Sequence, residues 1–176
     1  MYIMLTRRGP LFFADCTINV NPTADDLVQI TTLAANAVQQ LNIQPRIAML
    51  SYSNFGSTKG KEPETVANAV AMLKEKYPGM IVDGEMQANF AFNTELLRDN
   101  YPFCELVQGG ANTLIFPNLS SGNIAYKLMQ SLGAGEAIGP ILLGLKKSVH
   151  ILQLGSSVRE IVNMVTIAVI DAQVKR

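Results

Sequence analysis

The alternation of short apolar runs with longer amphipathic stretches constrains the fold of this chain more than any other feature. Runs of strand length fall at residues 2–6, 11–15, 47–51, 80–82, 113–116 and 149–152. Between them, apolar residues recur every three or four positions around residues 27–41, 63–73 and 124–132; residues 88–99 are weakly helical, and a last helical stretch covers residues 157–172. Strands that alternate with helices form crossover units, so the sequence predicts a three-layer α/β domain whose largely parallel sheet is flanked by helices.

Single residues predict where several of these elements begin. Residues 7–10 (RRGP) separate the first two apolar runs and indicate a hairpin. Thr23 has the position of an N-cap, with Asp25 and Asp26 in the first turn of the following helix. Pro63 stands where the first residue of a helix is expected.

Composition and charge exclude several functional classes. Fourteen basic residues balance fourteen acidic ones without a basic stripe, which argues against nucleic-acid binding. Two cysteines and one histidine are too few for a disulfide framework or a His-rich metal site. The chain has neither a signal-peptide pattern nor an apolar stretch that could cross a bilayer, so we expect a cytoplasmic protein without membrane contact.

The final helix predicts a partner surface. Residues 157–172 are apolar on nearly every side, and such a helix must be buried on most of them. A predicted strand also begins at residue 2. Both features suggest part of a larger protein or an oligomer, and we expect at least a homodimer.

Three polar segments, residues 15–22, 51–58 and 117–123, follow predicted strands. Ligands of open α/β sheets bind at the carboxyl ends of strands, and hydroxyl, amide and backbone N–H groups at a helix start suit phosphate oxygens. On the helix after the third segment, Asn123, Lys127 and Ser131 share the polar face opposite the apolar stripe. The same residue types also form ordinary caps and turns, and both interpretations stay open. His150 is better explained as a core or edge residue than as a catalytic base.

The strand ends also carry a resemblance to a known family. It rests on residues 13–19 (FADCTIN), 46–53 (RIAMLSYS), 82–85 (VDGE), 116–119 (FPNL), 122–127 (GNIAYK) and 136–141 (EAIGPI). These segments resemble the phosphate acetyltransferase/butyryltransferase family, in order and over essentially the whole chain. The resemblance implies the second α/β domain of such an enzyme at residues 1–150. Residues 151–176 would then be a strand end and a helix that in the family packs on the first domain.

The resemblance breaks at the motif that precedes the last helix. Family members move an acetyl group between CoA and phosphate, and their motif reads Leu-Ser-Arg-Gly with an acidic residue further on. Here Gln153 stands at the serine position, Leu154 at the arginine position and Glu160 at the acidic position. The guanidinium group of arginine binds phosphate through two hydrogen bonds and neutralises developing charge. Because this group is missing, we expect that the chain does not transfer acetyl groups and that none of its residues is catalytic. Ser131 likewise stands where the enzymes typically have arginine.

The candidate site is therefore a binding site for CoA or acetyl-CoA. Its candidate residues are Asp15, Thr17, Asn19, Ser51, Ser53, Asn123, Tyr126, Lys127, Ser131, Gln153 and Glu160.

Residues 2–5 (YIML), 149–155 (VHILQLG) and 169–173 (VIDAQ) resemble one subfamily in particular. It is the phosphotransacetylase-like C-terminal domain of hybrid NADP-dependent malic enzymes. This implies that NADP and a divalent metal bind only to N-terminal domains of the parent enzyme, which would be partners of this domain, and that these residues hold no cofactor or metal. Three functions stay open: an acetyl-CoA-responsive regulatory and oligomerisation domain, an active phosphate acetyltransferase, and a purely structural dimerisation module.

Overall fold

Six strands form one mixed sheet in the order β4-β3-β5-β2-β1-β6. The structure is a computed structural model that describes residues 1–152 and 154–174. The strands are β1 (Tyr2–Thr6), β2 (Gly9–Ala14), β3 (Ile47–Leu50), β4 (Val82–Met86), β5 (Thr113–Ile115) and β6 (Glu136–Ile138). The helices are α1 (Ala24–Gln40), α2 (Lys61–Lys76), α3 (Ala88–Phe92), α4 (Thr94–Asn100), α5 (Leu119–Ser131) and α6 (Val158–Val174), with a 3₁₀ turn at Glu105–Val107.

The sheet is parallel from β4 to β2 and antiparallel from β2 to β6. The antiparallel part begins with the predicted hairpin, in which Tyr2 pairs with Phe13 and Thr6 with Gly9. The α/β class and the largely parallel sheet are therefore confirmed. The antiparallel extension through β1 and β6 makes the sheet mixed.

Two apolar clusters fill the space on the two faces of the sheet, so the three-layer architecture is confirmed. On one face, Phe12 and Ile47 pack with side chains of α1, α2 and α6. On the other face, Phe13 and Ala48 pack with side chains of α3, α4 and α5. Neighbouring residues of one strand contribute to opposite clusters because side chains alternate across a pleated sheet.

The predicted helix starts agree with the structure to within two residues. Thr23 caps α1 through a capping box: its Oγ1 accepts a hydrogen bond from Asp26 N at 3.2 Å, and Asp26 Oδ2 accepts one from Thr23 N at 2.9 Å. Pro63 lies in the first turn of α2, as its third residue. The weakly helical residues 88–99 form two short helices, α3 and α4.

The prediction of a strand at residues 149–152 is wrong. The last strand of the sheet is instead β6 at residues 136–138, which the sequence pattern did not predict. Strand β6 occupies the edge of β1 by pairing Ile138 with Ile3, so that edge is not open to residues 149–152. The side chain of His150 is nevertheless buried, as expected. Its Nε2 lies 3.1 Å from Ser148 Oγ and 3.7 Å from Asp171 Oδ2 on α6.

The apolar stripe predicted for α5 packs on the sheet only in part: Ala125 and Met129 contact the second cluster. Ile124, Leu128 and Leu132 are exposed, whereas Gly122 and Tyr126 are buried. The ring of Tyr126 stacks on Tyr2 of β1 with 4.0 Å between the ring centroids. One glycine and one aromatic ring thus orient the helix so that part of its apolar stripe faces away from the sheet.

Helix α6 covers one end of the first cluster and leaves most of its apolar surface exposed. Met164 is its one buried residue among those that the structure describes. Val162, Val165 and Val169 are each at least 50% exposed. The predicted need for a further partner surface therefore persists in the folded chain, and the division at residue 150 stays a prediction.

Candidate functional site

The carboxyl ends of β2, β3, β4 and β5 lie at one edge of the sheet because these strands are parallel. The polar segments 15–22, 51–58 and 117–123 leave three of these strand ends. The structure therefore gathers the three predicted loops at one edge, as the topology of an open α/β sheet requires.

Asp15 shapes the first loop through its own carboxylate. Its oxygens accept hydrogen bonds from the backbone N of Thr17 at 2.8 Å, and from the backbone N and side-chain Nδ2 of Asn19, each at 2.7 Å. Burial acts to raise the pKa of Asp15, but the hydrogen bonds from Asn19 and Thr17 outweigh it and hold the pKa below its ordinary value. Asp15 and Asn19 are thus engaged with each other.

Thr17 differs from its neighbours. Its Oγ1 is buried and has no hydrogen-bond partner within the part of the chain that the structure describes. It can still donate a hydrogen bond to an arriving group or accept one from it.

Helix α5 approaches this loop unusually closely. A Cβ on Gly122 would overlap the carbonyl oxygen of Asp15 and would lie 3.1 Å from Cys16 Sγ. Asn123 Nδ2 donates to Cys16 O at 3.2 Å, and Asn118 Oδ1 accepts from Ser121 N at 2.9 Å as the helix cap. The predicted site residue Asn123 therefore joins helix to loop, and the helix start is partly satisfied by its own cap.

Ser51 and Ser53 contact two carboxylates. Ser53 Oγ donates to Glu85 Oε1 at 2.8 Å, and Glu85 Oε1 also accepts from Gly56 N at 2.7 Å. Ser51 Oγ donates to Glu62 Oε1 at 3.3 Å. The other oxygen of Glu62 accepts from Asn118 Nδ2 at 3.2 Å, so Glu62 connects the loops after β3 and β5.

Sequence reasoning did not single out Glu62. Its one signal was its place beside Pro63, in the first turn of a helix that starts at the strand-end edge.

A second group of predicted residues lines a small cavity between α5, β6 and α6. The cavity measures about 90 Å³, and Tyr126, Lys127 and Glu160 lie in its wall. Tyr2, Gln130, Ser156 and Asn163 also line it. The hydroxyl groups of Tyr2 and Tyr126 are 3.2 Å apart. Ser157 N donates to Glu160 Oε2 at 2.6 Å, and this hydrogen bond lowers the pKa of Glu160.

The predicted residues are thus divided between two places. Asp15, Thr17, Asn19, Ser51, Ser53 and Asn123 lie at the strand-end loops, while Tyr126, Lys127 and Glu160 lie at the cavity. Ser131 is exposed at the end of α5 and is not part of the cavity wall. Leu154 is fully exposed at 106% relative accessibility. Gln153 lies outside the described residues.

The two cysteines are buried and protonated. Burial raises the pKa of Cys16 and the pKa of Cys104 to about 12 each, so neither thiol forms a thiolate near neutral pH. Within residues 1–152 and 154–174, no three His, Cys, Asp or Glu side chains are grouped as metal ligands. No helix in the same ranges has the length and apolar character needed to cross a membrane.

Comparisons with known proteins show what the chain is similar to. A family model described as phosphate acetyl/butaryl transferase matches residues 1–169. A phosphate acetyltransferase of Clostridium acetobutylicum is 43% identical over 167 residues, which are 94% of this chain and 50% of that enzyme. An NADP-dependent malic enzyme of Haemophilus influenzae is 39% identical over 165 residues, which are 94% of this chain and 22% of that enzyme. A phosphotransacetylase structure from Streptococcus pyogenes has a TM-score of 0.90 and 39% identity, covering 98% of this chain and 53% of that one.

The chain therefore spans half the length of that phosphate acetyltransferase and a smaller share of that malic enzyme.

Proposed function

The chain belongs to the phosphate acetyl/butyryl transferase family, and on that premise we propose that it is a regulatory and oligomerisation domain of an NADP-dependent malic enzyme. In this proposal it binds CoA or acetyl-CoA without transferring the acetyl group. Similarity to a malic enzyme, of which the matched part is 22%, supports the assignment. Malate, NADP and the divalent metal would bind in other domains of the parent enzyme.

The proposed loss of transfer activity rests mainly on Leu154. The family resemblance places it at the arginine position of the motif, and its side chain is fully exposed. A leucine can neither bind a phosphate oxygen nor neutralise charge as the acyl group moves. Loss of one such electrostatic contact typically costs about 10²–10³ in kcat.

The cavity beside α5 supports the binding half of the proposal. Lys127 supplies positive charge for a phosphate of CoA, and the rings of Tyr2 and Tyr126 supply an apolar wall. A volume of about 90 Å³ accepts one small group, such as a phosphate or an acetyl group. The remainder of the ligand would lie outside along α5.

The same cavity suggests how binding would regulate the parent enzyme. Its walls come from α5 on one side and from α6, including Glu160 and Asn163, on the other. A ligand that contacts both would fix α6 relative to the sheet. Because α6 exposes an apolar surface suited to a partner, its position would couple acetyl-CoA binding to the rest of the enzyme, and this coupling must be reciprocal.

The transfer reaction tests the proposed loss of catalysis. Acetyl-CoA is mixed with the protein with and without phosphate, and free CoA is followed with a thiol reagent. We expect no phosphate-dependent release of CoA, and none from a Leu154→Ala control. Turnover near the roughly 10 s⁻¹ median of enzymes would overturn the regulatory assignment.

Calorimetry tests binding. Lys127→Ala should weaken the binding of acetyl-CoA, and the loss should be larger at low salt because the charge interaction is less screened. Lys76→Ala, at the exposed end of α2, is the matched control and should bind like the parent. Equal binding by the Lys127→Ala variant and the parent would contradict the proposed location.

A second candidate function is active phosphate acetyl transfer, which the 43% identity to the enzyme of Clostridium acetobutylicum favours. Phosphate-dependent CoA release would support it. A purely structural dimerisation module would give neither CoA release nor acetyl-CoA binding.

A further inference from the structure

A groove at the opposite edge of the sheet is not explained by family membership or by the proposed function. It lies at the amino ends of the parallel strands and consists of two adjoining hollows of about 550 and 580 Å³. Arg8, Leu11 and Phe92 line both hollows and therefore connect them. Volumes of this size are typical of sites for small organic ligands.

Three arginines give the groove positive charge. Arg7 lines the first hollow, Arg46 the second, and Arg8 both. Arg46 is held in place because its Nε donates to Gly110 O at 2.7 Å. Arg7 and Arg8 extend from the hairpin turn, which Thr6 braces by accepting from Arg8 N at 3.1 Å and donating to Gly9 O at 2.9 Å.

No carboxylate of the described residues compensates this charge. The walls of both hollows contain no Asp or Glu, and no described carboxylate lies within 4.0 Å of the three guanidinium groups. The chain as a whole has equal numbers of basic and acidic residues. A group of arginines without acidic neighbours in such a chain is complementary to an anion.

The shared wall adds an aromatic surface to this charge. Phe92 is half-buried between the two hollows, with Leu11 beside it, and Met129 extends the apolar wall of the first hollow. Aromatic faces stack on nucleobases, and guanidinium groups bind phosphates through paired hydrogen bonds. The chain lacks the long basic stripe of a nucleic-acid-binding protein, which limits the ligand to a small molecule.

From these observations we propose that the groove binds a nucleoside di- or triphosphate, with phosphates on Arg7, Arg8 and Arg46 and the base against Phe92. The ligand would bind at the amino edge of the sheet. The strand-end loops of the candidate site lie at the other edge. The groove also shares no lining residue with the cavity beside α5, so the two sites can be altered separately.

Calorimetry with ADP, adenosine and pyrophosphate tests the proposal on the full chain. We expect ADP to bind at submillimolar concentration, and adenosine and pyrophosphate to bind at least about tenfold more weakly, because each keeps only half of the contacts. Arg8→Gln and the Arg7→Gln/Arg8→Gln pair should each weaken ADP binding at least about tenfold. Arg98→Gln, an exposed arginine outside the groove, should leave it unchanged.

Phe92→Leu tests the contact with the base separately from the contacts with the phosphates. It should weaken ADP binding and leave pyrophosphate binding unchanged, and a thermal unfolding curve like that of the parent would show that the variant is folded. Equal binding of ADP and pyrophosphate by the parent would overturn the role of Phe92.

Three results would overturn the proposal as a whole. The first is the absence of ADP binding at millimolar concentration. The second is ADP binding that Lys127→Ala abolishes and the arginine variants leave intact, because the nucleotide would then occupy the cavity beside α5. The third is a change of oligomeric state in the arginine pair, which would make the groove an interface between copies.

Discussion

Gly122→Ala tests how closely α5 packs against the loop after β2, because the substitution has two effects of opposite sign on the stability of the protein. In a helix interior, alanine is more favourable than glycine by about 1 kcal/mol. Here, however, the added Cβ would overlap the carbonyl oxygen of Asp15 and press on Cys16 Sγ at 3.1 Å. A backbone carbonyl cannot rotate away as the end of a side chain can, so either the helix or the loop must move.

The magnitude follows from these two terms. Overpacking costs about 1–3 kcal/mol, and a backbone overlap belongs at the upper end of that range. After the gain in helix propensity is subtracted, we expect Gly122→Ala to lower the free energy of unfolding by about 2 kcal/mol. For a chain of 176 residues, this corresponds to a fall in Tm of about 4–8 °C.

Thermal unfolding followed by circular dichroism, with urea unfolding as a second measurement, decides the sign. Gly79→Ala is the control, because its Cβ would meet no atom within 4 Å. It should leave Tm unchanged or slightly higher. A rise of about 2–4 °C in Gly122→Ala itself is what helix propensity alone predicts. That result would refute the close approach of helix and loop.

Three further measurements test other parts of the structure. The lowered pKa of Asp15 means that its stabilising contribution is complete above the unfolded-state pKa of about 3.9 and is lost as the pH falls through the folded-state pKa. Asp15→Asn should therefore lower the free energy of unfolding, measured with urea, by about 1.5–3 kcal/mol at pH 7 and by less at about pH 3. A decrease that does not change with pH would contradict the hydrogen bonds to the Asp15 carboxylate. Because the pKa of Cys16 and the pKa of Cys104 are each about 12, the native protein should not react with a thiol reagent at about pH 8, whereas the unfolded protein should give two equivalents. The unmodified chain should sediment as a dimer or a larger oligomer at micromolar concentration. Val165→Glu should give a monomer or an aggregate, whereas the Gln173→Glu control should sediment like the parent. A monomeric parent would disprove the predicted interface.

Local signals predicted the elements whose ends depend on neighbouring residues. The hydroxyl of Thr23 and the carboxylate of Asp26 satisfy each other's backbone N–H groups within a single turn, so the start of α1 is encoded locally. The hairpin at residues 2–14 depends on a short turn in the same way. These elements require no information from distant parts of the chain.

The errors arose where a distant partner decides the outcome. Residues 149–152 have the pattern of a strand, but residues 136–138 occupy the edge of β1. Ile124 and Leu128 have the spacing of a core stripe, yet the close approach at Gly122 turns another face of α5 toward the sheet. Hydrophobic periodicity reports that a helix is amphipathic but does not identify the surface that covers it.

The sequence was sufficient to predict which loops form the candidate site, but not the roles of the individual residues in it. The sequence identified the loops that parallel topology gathers at one edge, and the structure brings them together. It could not show that the carboxylate of Asp15 is occupied by its own loop or that Glu62 connects two strand ends. These roles depend on hydrogen bonds between elements far apart in the chain.

The place of β5 between β3 and β2 has a consequence for the chain during its synthesis on the ribosome. Strands β2 and β3 are made first, but they share no hydrogen bonds and are joined only through β5. At a synthesis rate of about 5–20 residues per second, about 3–13 s separate Leu50 from Ile115. During that interval two apolar strands present unpaired edges of the kind that recruit chaperones or promote aggregation. Truncated chains that end before Thr113 should therefore accumulate as insoluble or chaperone-bound protein, and solubility should return once β5 is included.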